Sequence, residues 1–296
     1  MELNSKQIKQ TALQCGFHQC GMAPAGAMPH FLERLQQWSR CGCQAEMHFM
    51  ENLQEMRSDP TLLLPRARTV ISLLVGYKPT RTMQGNARIA SYAYGADYHE
   101  ELKRKCYLLL SKLKESHPEF EGKVCVDTVP ISDKLWAQQA GLGWIGKNTL
   151  LINPQLGSFC NIAEIVTTAS VDQYDTPLEN RCGDCRLCLD ACPNHALDAE
   201  NQWLDANRCT SYHTIENRQP QLPSALNRNG YAFGCDCCQL VCPYNRTTQP
   251  QVEITEERLE QLQSLPNVDE ATFRRLTRHS AMNRIKYPQW QRNINS

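Results

Sequence analysis

Nine of the chain's 16 cysteines fall between Cys182 and Cys242, and their spacing is the strongest chemical signal in the sequence. Cys182, Cys185, Cys188 and Cys192, with Pro193 behind them, make a C-x2-C-x2-C-x3-C-P run. Cys235, Cys238 and Cys242, followed by Pro243, make a C-x2-C-x3-C-P run. Thiolates so spaced hold [4Fe–4S] clusters: a tight loop wraps one cubane, and the cysteine three residues on points to a neighbouring one. The expected pattern is therefore crossed. Cys182, Cys185 and Cys188 take Cys242 as fourth ligand of the first cluster, while Cys192, Cys235 and Cys238 hold the second and lack a ligand. Cys209 is the candidate for that place, and Cys237 is spare. Zinc knuckles also use C-x2-C, but two cysteine–proline endings in a crossed layout favour clusters.

The rest of the composition bounds what carries this module. At roughly 150 residues per domain, 296 residues make about two domains. A hydrophobic fraction of 41% and a charged fraction of 21% describe a globular chain and exclude wholesale disorder. No apolar run is long enough for a membrane span, and Met1-Glu-Leu-Asn-Ser-Lys-Gln7 has no apolar signal core or twin arginine. The expected compartment is the cytoplasm, where thiols stay reduced. Cys15, Cys20, Cys41, Cys43, Cys106, Cys125 and Cys160 are then expected as small buried hydrophobes. The 31 basic and 31 acidic residues cancel, yet Phe273–Ser296 carries Arg274, Arg275, Arg278, Arg284, Lys286 and Arg292 with no acid, and Tyr287 and Trp290 among them. That segregation is what a phosphate-contacting edge needs, although a solvated helix face would look the same.

The elements that must position these residues follow from periodicity. An amphipathic helix is expected over 5–16, with Ile8, Ala12 and Leu13 on one face. Thr69–Val75 reads as a buried strand, Lys123–Val126 as a short one and Phe159–Thr168 as another. Leu102, Cys106, Leu109, Leu110 and Leu113 recur at helical steps within a helix over 97–115, and a helix over 132–140 stops at Gly141-Leu-Gly143. Alternating helices and strands predict a layered α/β domain over residues 1–175, a two-cluster module over 176–246, and a basic, mainly helical C-terminal segment over 247–296.

Several strings occur in order with the cysteine runs: Leu62-Leu-Leu-Pro-Arg-Ala-Arg-Thr-Val70, Tyr92-Ala-Tyr-Gly-Ala-Asp-Tyr-His99, Val126-Asp-Thr-Val-Pro130, Ala140-Gly-Leu-Gly-Trp-Ile-Gly-Lys-Asn148 and Leu204-Asp-Ala-Asn-Arg-Cys-Thr-Ser-Tyr212. Together they resemble the epoxyqueuosine reductases over nearly the whole chain. The resemblance implies a reductase-like, cobalamin-binding α/β domain joined to a ferredoxin-like module, with electrons passing through two [4Fe–4S] clusters to cobalamin. It implies an epoxide substrate on a modified wobble base of the tRNA anticodon stem-loop, reduced with two electrons and two protons. A low-potential donor such as flavodoxin or ferredoxin would feed a monomeric enzyme. Asp127 falls at the position of the family's proton donor, and an epoxide oxygen leaves poorly unless an acid protonates it. Burial against the corrin would have to raise the Asp127 pKa. Arg57, Ile152, Ser211, Asp236 and Ala90 fall at cobalamin-lining positions, and Lys147 is a further candidate for corrin or phosphate.

Two departures accompany the match. Ser91 stands where the family often has arginine, and the chain ends at Ser296, where a helical repeat domain begins in many members. A cobalamin-dependent reductase of small molecules, akin to reductive dehalogenases, is the alternative reading, and an electron-transfer adaptor is a third.

Overall fold

The computed structural model describes all 296 residues. Its centre is a four-stranded antiparallel sheet of β1 (Gln19–Pro24), β2 (Thr69–Gly76), β3 (Gly122–Cys125) and β4 (Cys160–Thr167), in the order β1-β2-β4-β3. Every residue of β2 is buried, because helices cover both faces of the sheet and the strand lies inside it. On one face Ile71, Leu73, Val75, Ala163 and Ile165 pack under α1 (Ser5–Gln14) and α4 (Tyr98–Ser116), which contribute Ile8 and Ala12, and Leu102, Cys106, Leu109, Leu110 and Leu113. On the other, Val70, Leu74 and Val166 pack against Trp136 and Ala137 of α5 (Asp133–Gln139) and Ala140 at its end. The alternation along β2 and β4 divides the two cores, as a period of two requires.

Local chemistry sets the helix ends. Asn4 caps α1 by accepting from the Gln7 amide, and Asp97 caps α4 by accepting from the His99 amide. The sequence left β1, α2 (Pro29–Arg40) and α3 (Gln54–Ser58) unassigned. β1 and α3 are too short to show a period, whereas Phe31, Leu32, Leu35 and Trp38 of α2 do recur at helical steps. Leu13, expected on the apolar face of α1, is 54% exposed, so that face is narrower than the pattern suggested.

The cysteine module wraps around the four-residue α6 (Leu187–Asp190) and α8 (Cys237–Leu240), which pack on each other. Between the two cysteine runs lies α7 (Thr210–Ile215), and α9 (Pro243–Thr247) follows the second. A third core is made by the C-terminal segment: α10 (Glu256–Ser264), α11 (Glu270–Thr277) and α12 (Tyr287–Asn295). Leu262, Leu265, Phe273, Met282 and Trp290 pack there with Ile89, Tyr94 and Phe233. Trp290 is fully buried and donates its indole N–H to the Leu265 carbonyl at 3.2 Å. Tyr287 donates to the Val268 carbonyl at 2.8 Å. Neither aromatic is free to stack on a base, so the interleaving read in the sequence is core packing. Trp290→Ala should therefore destabilise the fold by about 3–5 kcal/mol, measured as a lower urea midpoint with unchanged slope; a shift under about 1 kcal/mol would remove the residue from the core.

Candidate active site and cluster module

Asp127 lies just past the end of β3, at the apex of a tight turn that the Thr128 amide closes onto the Val126 carbonyl at 2.5 Å. Its φ is +48°, a left-handed conformation unusual for a non-glycine residue and often found where function demands it. The turn presents the carboxylate to the N-terminus of α4. Tyr98 donates its hydroxyl to Asp127 Oδ2, and His99 Nε2 lies 3.2 Å from the same oxygen. The other ring nitrogen, His99 Nδ1, is 2.7 Å from Asp97 Oδ1. One histidine is thus clamped between two carboxylates, with its ring stacked on Tyr98.

The electrostatics differ from the sequence expectation. Burial pushes the Asp127 carboxyl up, but the hydrogen bonds from His99 and Tyr98 outweigh it and hold Asp127 below the ordinary carboxylate value. The Asp127 hydrogen bond likewise raises His99, against its own partial burial. Both shifts favour a proton on the imidazole over one on Asp127. The sequence expectation was a carboxyl raised by burial against the corrin; the two donors from α4, which the spacing could not show, act in the opposite direction.

Behind Asp127 the carboxylates continue inward. Asp133, the first residue of α5, and Glu164 of β4 lie close enough to Asp127 that the three carboxyls shift one another. Burial lifts Asp133 to about 7 and Glu164 well above the usual carboxylate range. Sequence reasoning missed all of these except Asp127. Asp97, Tyr98 and His99 were in a quoted string but lacked a role, and Glu164 sits in an otherwise apolar strand, which is a signal in retrospect.

Arg57 is half-buried on α3. It donates to the Phe49 carbonyl at 3.2 Å, while its Nε is buried without a partner. Asp236 accepts at 2.7 Å from both the amide and the hydroxyl of Ser91. The family departure at Ser91 is thus occupied by a bridge between the first domain and the second cysteine run. Ala90 is buried against that run: its amide donates to the Phe233 carbonyl at 2.7 Å, and a methyl at Gly234 would come within 2.5 Å of its Cβ. Ser211 is half-buried on α7, two residues from Cys209. Ile152 packs with Trp144 and Cys242. Lys147 donates to the carbonyls of Gly183 and Cys185 at 2.6 and 3.0 Å. The lysine that the sequence offered to corrin or phosphate is committed to the first cysteine loop.

The thiols' influences on one another show which cysteines are neighbours. Burial first, then the nearby Cys182, Cys242 and Cys185, raise the Cys188 thiol to about 11. Cys238 is raised by burial and then by Cys209 and Cys192, and Cys235 lies beside Cys237 and Cys238. Cys242 from the second run therefore neighbours the first group, and Cys192 from the first run neighbours the second. The scattered cysteines are buried at Cys15, Cys20, Cys43, Cys106 and Cys125 and half-buried at Cys160; Cys41 is exposed, contrary to expectation.

The C-terminal segment reaches this site. The His279 carbonyl accepts from the Asp97 amide at 2.7 Å, and Ser280 donates to the Ala93 carbonyl at 3.0 Å. Of the six basic residues, Arg274 pairs with Glu270 and Arg284 with Glu216, while Arg292 caps the carbonyls of His213, Asn217 and Gln219. Arg275, Arg278 and Lys286 are exposed.

Residues 57–128 match the family described as "Epoxyqueuosine reductase QueG, DUF1730", and residues 181–245 match the "4Fe-4S double cluster binding domain". The epoxyqueuosine reductase of Cellulophaga algicola is 38% identical over 301 residues, covering 99% of this chain and 97% of that protein. The chain belongs to the epoxyqueuosine reductase family. The solved epoxyqueuosine reductase from Streptococcus thermophilus superposes with a TM-score of 0.89 at 28% identity, covering 99% of this chain and 80% of that one. A crystal structure of an epoxyqueuosine reductase with an epoxyqueuosine-modified tRNA stem loop superposes at 0.84 and 28% identity, covering 98% of this chain and 79% of that one. A catabolic reductive dehalogenase shares the fold at a TM-score of 0.52 and 14% identity, covering 97% of this chain and 37% of that chain. The layered α/β domain and the double-cluster module expected from the sequence are both present. The curated relative is matched almost end to end, and the solved chains are longer.

Proposed function

We propose that this protein reduces epoxyqueuosine to queuosine at the wobble position of tRNA, with Asp127 as the group that protonates the departing epoxide oxygen. The single observation that carries the reading is the Asp97–His99–Asp127 chain with Tyr98, set in a fold matched end to end by epoxyqueuosine reductases. Cys182, Cys185, Cys188 and Cys242 would hold one [4Fe–4S] cluster, and Cys192, Cys209, Cys235 and Cys238 the other, with Cys237 left over. The unpartnered Nε of Arg57 suits a corrin rimmed with amides. Arg57, Ala90, Ile152, Ser211 and Asp236 would line that cofactor, Ile152 and Asp236 through the cluster-side wall. Cobalamin, when bound, supplies a strongly reducing metal centre.

The chain's own residues then manage the protons. His99, whose proton the Asp127 hydrogen bond holds more firmly, hands it to Asp127, whose carboxyl passes it to the epoxide oxygen. Asp97 holds the imidazole in line, and Tyr98 fixes the carboxylate's second direction. Arg275, Arg278 and Lys286, on the segment that abuts Asp97, would meet the phosphates of the anticodon stem-loop. A tRNA substrate fits a cytoplasmic enzyme, which would act as a monomer fed by a low-potential flavodoxin or ferredoxin.

The test is direct. Anaerobically reconstituted protein with cobalamin and a strong reductant should convert epoxyqueuosine in tRNA, read by mass spectrometry as the loss of one oxygen from the nucleoside. No loss of oxygen would end the reading, and turnover of a free organohalide without tRNA binding would replace it with a dehalogenase.

A further inference from the structure

Glu164 is the residue for which neither the fold nor the steps above have a use. It sits in the central strand β4, between Ser72 of β2 and Cys125 of β3, and faces the apolar layer of Val70, Leu74, Trp136 and Ala137. It is 0% exposed, and both carboxyl oxygens lack a hydrogen-bond partner among the protein's ordinary donors. Asp133 Oδ1 is buried and unpartnered in the same way. A bare buried carboxylate costs several kcal/mol, so an acid kept in a sheet interior is expected to carry its proton. The one group placed to share it is the carboxyl of Asp133, which also reaches Asp127. Three carboxyls thus neighbour one another between the sheet interior and the site: Glu164, Asp133 and Asp127.

We infer that Asp133 and Glu164 form a proton store behind Asp127, with Asp133 as its outlet, and that it supplies the second of the two protons the epoxide reduction consumes. The inference rests on the activity proposed above. The balance requires such a store. Two electrons from the external donor and two protons convert the epoxide to an alkene and water: two C–O bonds break, one carbon–carbon π bond forms, and the oxygen leaves carrying both protons. Asp127 delivers one proton at a time. His99 reloads it from the α4 side, and the carboxyl pair reloads it from the sheet side.

The surroundings fit a store that is full near neutrality. Burial first, and then the proximity of Asp133, keeps Glu164 neutral. Asp133 is lifted by burial to about 7, with Glu164 pulling it down and the Asp127 charge pushing it up. Lys134, on the same helix, and Arg57 are the cations that feel Asp133. Cys125, raised by burial to about 12, and Cys106, raised further by burial, stay neutral and add no charge from β3 or α4. As pH climbs through about 7, Asp133 loses its proton and the outlet empties.

The decisive measurement is the infrared spectrum of the full-length protein at pH 7 in H2O and D2O. A protonated-carboxyl band that shifts in D2O and is missing from Glu164→Gln is expected. Its absence from the unaltered protein would overturn the store. Glutamine keeps the shape and a donor toward Asp133 but has no proton to give. A purely structural role therefore predicts full turnover in Glu164→Gln, whereas the store predicts a loss of roughly tenfold or more. Unchanged turnover would overturn delivery. Asp133→Asn, which keeps Glu164 in place, covers the case in which Glu164→Gln fails to fold: it should lose turnover and retain the band. If the unaltered protein leaves epoxyqueuosine tRNA unchanged, the activity reading fails, and the band alone decides whether the pair holds a proton.

Discussion

Asp127→Asn should reduce turnover on epoxyqueuosine tRNA by about 10²–10⁴-fold, the usual loss when a positioned acid is removed, while the cobalamin and cluster spectra stay as they are. Asparagine keeps the turn, because it tolerates a positive φ nearly as well as aspartate. It keeps an acceptor for Tyr98 and His99 but cannot ferry a proton between His99 and the substrate. Full activity in the variant would strip Asp127 of its role. The pH dependence sharpens the test. The His99 pKa is raised above its ordinary 6.5, so the stabilisation it gains from Asp127 is complete below 6.5 and disappears as pH rises through the raised value. The Asp127 pKa is lowered from 3.8, so its share is present above 3.8 and disappears as pH falls through the lowered value. The ion pair is whole between those limits. Turnover that draws on the imidazolium should fall on the alkaline side, and His99→Gln should remove that part of the profile, leaving the limb set by Asp133.

Cys242→Ser should cost the first cluster alone, removing roughly half of the bound iron and leaving the paramagnetic signature of one cubane. Turnover should drop below detection, since the electron path is broken. The expected loss is specific to the crossed arrangement. Cys242 belongs to the second run in sequence, yet it sits with Cys182 and Cys185 in space. If instead the cluster lost were the one bounded by Cys192, Cys209 and Cys238, the crossing would be wrong. Cys237→Ser supplies the comparison. Cys237 is buried and accepts from Asn229 Nδ2 at 3.1 Å, and as the spare thiol it should leave the iron content unchanged.

How far the sequence reached can be judged residue by residue. The cysteine runs were legible because cluster ligation is a matter of loop spacing, which chain order records directly. The strand at Thr69–Gly76 was legible as an apolar run of strand length, and the helix at Tyr98–Ser116 through its period. Asp127 was legible through its string alone; nothing in Val-Asp-Thr-Val-Pro announces a left-handed turn. What the sequence could not supply was anything made by contact between distant segments. The charge state of Asp127 depends on His99 and Tyr98, 28 and 29 positions away in the chain. The aromatics of the C-terminal segment looked like an interface and turned out to be core, because Trp290 meets Leu265 and Phe273 only after folding. Lys147 was taken up by the carbonyls of Gly183 and Cys185 for the same reason.

The sequence by itself determined the redox character of the protein, since thiol spacing, strand period and the family strings are all local. Only the tertiary structure decided where the protons reside. The pKa of a carboxyl is set by burial and by whichever donors face it, and Asp97, His99, Asp127, Asp133 and Glu164 come from two helices, a turn and a strand that meet only in the folded chain.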